Sequence, residues 1–195
     1  MENDMINALA LNREVVNSRS LNAAIGVAFF ILATALGAYV RIPVPGTPVP
    51  ITLQTFFVVL SGAVLGKKLG PASQAAYISL GAIGCPIFQG YAFGLAHIFG
   101  PTGGYLMGFM AASLLTGKLL EKGTSSIFKI ITSFVAGNIA LYTMGVLWLM
   151  LIYRINFMSA IAIGVLPFLA AETVKITAAA IIYRKISARS KNIFS

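Results

Sequence analysis

The sequence predicts an all-α membrane protein of six transmembrane helices with both termini in the cytoplasm. Three observations carry this expectation: an apolar composition, long charge-free runs between short polar breaks, and Lys and Arg gathered on one side. Of the 195 residues, 58% are hydrophobic and 10% charged, and the mean hydropathy is +0.88. Soluble domains carry about 25% charged residues, so the natural solvent of this chain is lipid. A spanning helix takes about 20 apolar residues, which leaves room for roughly six spans and none for a soluble catalytic domain.

Residues 1–19 carry Glu2, Asp4, Arg13, Glu14 and Arg19 and lack the basic start and apolar run of a signal peptide, so they read as a cytoplasmic tail. Residues 20–186 form one membrane-embedded domain, and residues 187–195 a second cytoplasmic tail. The first span occupies residues 20–40, free of charge between Arg19 and Arg41. Residues 41–50 hold Pro43, Pro45, Pro48 and Pro50, which remove donors and bias their predecessors to extended geometry, so a stiff extended loop is expected. The second span, 51–66, closes at Lys67 and Lys68. Residues 69–117 lack any Lys, Arg, Asp or Glu and are too many for one span. Gly and Pro cluster between 84 and 104, dividing the run into spans at 69–85 and 102–120. Irregular backbone at membrane depth is tolerated when it lines a cavity, which makes the 86–101 loop a candidate site wall. Spans at 130–153 and 160–186 complete the set.

Six spans place both termini on one face. On that face lie Arg13, Arg19, Lys67, Lys68, Lys118, Lys122, Lys129, Arg184, Lys185, Arg189 and Lys191, eleven of the 14 basic residues; the other face has Arg41 and Arg154. This is the bias expected of cytoplasmic loops, and it accounts for the +9 charge without nucleic acid. One cysteine, Cys85, and one histidine, His97, exclude a disulfide framework and a His-pair metal centre. The nearest approach to a phosphate loop, Gly62 to Lys68, lacks the required spacing and the Ser or Thr after Lys, so ATP would have to be used by another chain.

Glu172 and Lys175 are the ionisable residues left inside the hydrocarbon. Their three-residue spacing places them on one helical face within contact, and a lone charge at mid-membrane costs about 2.5 to 3.5 kcal/mol on insertion scales. They should therefore face the interior, as a self-neutralising structural pair or as a polar clamp at a substrate cavity, the clamp being the reading preferred here. Pro167, five residues earlier, denies its helix one backbone bond and should open a bend near the pair. Gln54 and Asn138 are amides within spans, each able to serve the ligand or a neighbouring helix. His97 reads as a surface or packing residue, because no acid accompanies it. Small residues at four-residue spacing, including Ala24 with Ala28 and Ala33 with Gly37, permit close helix contact.

The segment RIPVPGTPVPITLQTF at 41–56, the run GPTGGY at 100–105, and an acid three residues before Lys175 resemble the BioY family, the substrate-binding S components of energy-coupling factor biotin transporters. The resemblance covers roughly residues 22–186. It implies six helices, cytoplasmic termini, a multi-pass location in the cell's inner membrane, and a biotin pocket towards the outer face. It also implies a complex with a membrane coupling protein and two ATPases, and a whole subunit that topples to release biotin inwards. Members carry Asp where this chain has Glu172, a departure of one methylene. An Ala-x-x-x-Ala pattern contacts the coupling protein in the family, and Ala24 and Ala28 match it.

The residue chemistry suits that ligand. Biotin's ureido ring presents two N–H donors and a carbonyl, and a carboxylate beside an ammonium offers the complement. Glu172 should accept and Lys175 donate. Phe88, Tyr91, Tyr105 and Tyr142 could wall the thiophane ring. For the valerate carboxylate, Arg41 is the best-placed outer cation, with backbone N–H groups of Gly103 and Gly104 at a helix start as the alternative. No cofactor is expected. A different chemistry for the same pair is a stand-alone secondary transporter in which Glu172 carries a coupling proton. An intramembrane enzyme is disfavoured, because no nucleophile, base and orienting group converge.

Overall fold

In the computed structural model, which describes residues 2–122, 124 and 126–194, the chain is mostly helical. Helix α1, Glu2–Tyr39, runs unbroken from the polar start through the first apolar segment. Two short strands, β1 (Arg41–Ile42) and β2 (Ile51–Thr52), then pair antiparallel with Arg41 opposite Thr52. The proline-rich loop is thus extended only at its first two residues; it turns at Pro45–Gly46, where Gly46 has φ 82°, and returns as a hairpin. Residues 51 and 52, assigned above to the second span, belong to its return strand because they have partners in 41 and 42.

Helix α2, Gln54–Ala82, is broken at Gly66 (φ 80°, ψ −178°), a conformation essentially reserved for glycine. The break is a full reversal. Gln54 Nε2 donates to the Tyr77 hydroxyl at 2.8 Å, and Gln74 Nε2 to Ser61 Oγ at 3.1 Å. In one straight helix residues 23 apart would lie about 35 Å apart, so the arms 54–65 and 67–82 are antiparallel. The reversal coincides with Lys67 and Lys68.

After α2 the chain leaves helix geometry through Ile83 and Gly84, makes a 3₁₀ turn at Gln89–Tyr91, and forms the single turn α3, Leu95–Ile98. This cap is fastened to α2 by Gly94 N–H to the Gly81 carbonyl, 2.7 Å, and by the fully buried Phe88 ring, against which a Cβ at Gly81 would collide. Helix α4 spans Gly103–Leu119 and α5 spans Ile127–Tyr153, starting at Ser126, whose hydroxyl caps Lys129 N–H. Gly62 of α2 packs directly on Ser113 of α4, and Gly108 of α4 on Leu141 of α5, so these helices approach closely.

The last predicted helix is interrupted. Helix α6, Phe157–Gly164, ends in a 3₁₀ turn at Leu166–Phe168, and α7 runs Leu169–Phe194. Pro167 is the cause, since it supplies no N–H to continue α6. Phe168 N–H bonds Val165, and the Gly164 carbonyl is taken instead by the Tyr105 hydroxyl at 2.7 Å. Three stretches, Arg19–Tyr39, Ile127–Tyr153 and Phe157–Ala188, are long and apolar enough to cross a membrane. The arms of α2 are shorter, and α4 with 17 residues rises only about 26 Å.

Candidate functional site

Glu172 stands in the first turn of α7, where the helix dipole favours an anion, and Lys175 lies one turn on. Both point inward, 6% and 9% exposed. Lys175 Nζ donates to Glu172 Oε1, to Thr55 Oγ1 at 2.6 Å, and to the Thr52 carbonyl at 2.9 Å. Those are all three donors of an ammonium. Thr55 donates to Glu172 Oε1 at 2.9 Å and lies 3.2 Å from Oε2. A buried ion pair offsets its desolvation only when further hydrogen bonds serve both charges. The start of α2 and strand β2 supply them here. The Tyr142 hydroxyl also interacts with the Glu172 carboxylate.

The pair forms one wall of a cavity enclosed by β2, both ends of the cap, α4, α5 and the 3₁₀ turn after α6. Tyr105, Phe109, Leu141, Tyr142 and Phe168 make its apolar body. Tyr142 packs edge-on against Tyr105 and stacks on Phe168, with centroids at 6.0 and 6.3 Å. Phe168 reaches this position because the Pro167 break turns it inward. Gln89, His97 and Thr102 line the cavity from the cap. His97 stacks on Phe88 at 5.0 Å and its Nε2 lies 3.3 Å from Thr102 Oγ1; burial pushes its pKa down, so the imidazole is neutral at pH 7. The open space is about 50 Å³, enough for a few water molecules and too little for a bicyclic ligand. A larger ligand has to displace part of this lining.

Of the residues singled out from the sequence, Glu172, Lys175, Gln54, Tyr105 and Tyr142 line this cavity. Gln54 is braced there, donating to Tyr77, which in turn donates to the Ile87 carbonyl at 2.9 Å. The structure places the others elsewhere. Arg41 is exposed on β1 with its guanidinium across Gly90, on the outer side of the cap. Tyr91 is exposed and stacks on Tyr39 at 4.6 Å. Gly103 and Gly104 are packing positions beside Trp148, and the Gly103 N–H is already bonded to Gly100. Asn138 is buried on α5 outside the cavity. Thr55, Gln89, Thr102 and Phe168 were missed, and His97, read as packing, is in the wall. A three-donor ammonium with one carboxylate neighbour was a signal that further acceptors had to exist.

Residues 10–192 match the BioY family. The chain belongs to that family. A BioY relative from Thermotoga maritima, named a biotin transporter, is 40% identical over 153 residues, 78% of this chain and 88% of its own. A relative from Pyrococcus horikoshii, named a probable biotin transporter, is 41% identical over 160 residues, 82% of this chain and 93% of its own. The structure also resembles the solved S-component for biotin from an ECF-type ABC transporter, with a TM-score of 0.77 and 28% identity, covering 90% of this chain and 93% of that one. BioY relatives are named as transporters, not enzymes.

Proposed function

We propose that this BioY chain is the biotin-binding membrane subunit of an energy-coupling factor transporter. The observation that carries the reading is the buried Glu172–Lys175–Thr55 network on the wall of an otherwise apolar cavity. Biotin's ureido N–H groups donate to Glu172, and its carbonyl accepts from Lys175. Because the Lys175 donors are full, the ligand carbonyl replaces the Thr52 carbonyl, and binding therefore detaches β2 from α7. The apolar body takes the thiophane ring. The valerate carboxylate lies towards Gln89, His97 and Thr102 of the cap, with Arg41 outside.

In this reading α1, the two arms of α2, α4, α5 and α6–α7 make six spans in the cell's inner membrane. The tails at 1–19 and 187–195 face the cytoplasm with the basic loops. The partners are a membrane coupling protein and two ATPases. Ala24 and Ala28 are exposed on α1 and form part of the contact.

Calorimetry of the purified protein with biotin, and with desthiobiotin as competitor, tests the site: tight binding lost in Glu172→Ala and Lys175→Ala is expected. A well-folded wild type that ignores biotin would sink the assignment. Uptake should require the ATPase partners. Uptake abolished by dissipating the proton gradient at constant ATP would favour proton coupling through Glu172 instead.

A further inference from the structure

A second cavity, of about 480 Å³, lies in the seam between α5 and α6–α7, open to the outer surface of the bundle. It falls within the roughly 300 to 1,000 Å³ of small-molecule sites. Its walls are apolar, including Val146, Phe157, Ile161 and Leu169. The two cavities have two lining residues in common, Tyr142 and Glu172. The ligand cavity and this groove are therefore separated by one ring and one carboxylate.

Asn138 sits on the groove wall, 5% exposed, and both its amide nitrogen and its oxygen lack partners among the described residues. The groove's threonines do not share this defect: Thr143 bonds the Ile139 carbonyl and Thr173 the Leu169 carbonyl, each at 2.8 Å. A buried carboxamide without partners is expensive, most of all in a chain that sits in lipid. Asn138 stands unmet although the groove beside it is open, and a polar ligand in the groove would satisfy both groups.

We propose that the α5–α7 seam is a lateral passage for the transported ligand, and that Asn138 is a second, transient site for its polar head. The proposal rests on the biotin reading above. A carboxamide presents one donor and one acceptor side by side, the complement of a ureido N–H and carbonyl edge. As the head leaves Glu172, Asn138 takes one N–H and the carbonyl. The gate is Tyr142. It rests on Phe168, which belongs to the interrupted turn at Leu166–Phe168 and can shift without unwinding a continuous helix. A lipid acyl chain would fill the groove but leave Asn138 unmet.

The test uses the full chain in nanodiscs, measuring equilibrium affinity and dissociation rate of radiolabelled biotin. In Asn138→Leu, affinity should stay within about twofold while association and dissociation both slow about tenfold. Thr173→Trp, which plugs the groove from an exposed position, should slow both rates similarly and guards against a folding defect in the first variant. Unchanged rates in folded Thr173→Trp would overturn the passage, with ligand exchange then assigned to the cap. Slowing by the plug alone would overturn the role of Asn138. A wild type that fails to bind biotin at equilibrium would instead sink the biotin reading.

Discussion

The two ends of the ligand cavity are built differently. At the α7 end, Lys175, Glu172, Thr55 and the Thr52 carbonyl bond one another, and the ammonium has no donor to spare. At the cap end, Gln89, His97 and Thr102 share a single 3.3 Å contact between His97 and Thr102, and the backbone passes through left-handed positions at Gly90 and Tyr91. The first end is a saturated hydrogen-bond network; at the second the backbone is fastened to α2 but the cavity-lining side chains are nearly free of one another. The contrast follows from where the hydrogen bonds are already satisfied: the α7 end holds the cavity's charges in fixed geometry, and the cap end offers polar side chains with few partners of their own.

The strongest way to break this contrast is Lys175→Ala. It leaves Glu172 buried without its cation, a loss of about 3 to 5 kcal/mol, and should lower the thermal midpoint and reduce biotin affinity at least about a hundredfold. A binding-competent Lys175→Ala would show that the pair is structural. Thr55→Val comes next. It keeps the shape but removes a hydroxyl that serves both charges, and calorimetry should read roughly a tenfold to hundredfold loss. An unchanged affinity would mean the network is not needed in the bound state.

At the cap end the effects should be smaller. Arg41→Ala, exposed and outside the cavity, should change affinity by less than about twofold, because exposed charges contribute little; a tenfold loss would put the guanidinium on the ligand after all. The smallest effect concerns pH. Burial depresses the His97 pKa below its usual value near 6.5. The folded state therefore binds this proton less readily than the unfolded one. Stability from the cap should be full above that value and fall as pH drops through the lower folded pKa. His97→Gln should flatten this part of a thermal-melt series between pH 7.5 and 5, and an unaltered slope would remove His97 from the account.

Much of the fold was legible because lipid makes charge so costly. Lys67 and Lys68 marked the α2 reversal, Pro167 marked the α6–α7 break, and the spacing of Glu172 and Lys175 placed the pair. The rest depended on partners distant in sequence. Strand β2 exists only because β1 lies opposite it, so residues 51 and 52 looked helical from local composition. Thr55 resembled any threonine in an apolar run, since a hydroxyl in a helix commonly bonds its own backbone. Arg41 stands outside the cavity; charge bias gives a face and not a direction. Gly103 and Gly104 resembled an anion cradle, yet their missing side chains make room for Trp148.

Gly66 also carries a consequence for topogenesis. Its reversal divides the 29 residues of α2 into two antiparallel arms, the second and third of the six proposed crossings, and without it they would form one rod of roughly 43 Å, longer than a bilayer core. A side chain there disfavours the reversal, and the number of crossings would change from even to odd. Every helix downstream would then face the opposite compartment, carrying Lys118, Lys122 and Lys129 against the charge rule. In the proposed six-span arrangement a single achiral residue thus sets the parity of the chain, and with it the side of the membrane that each half of the protein faces.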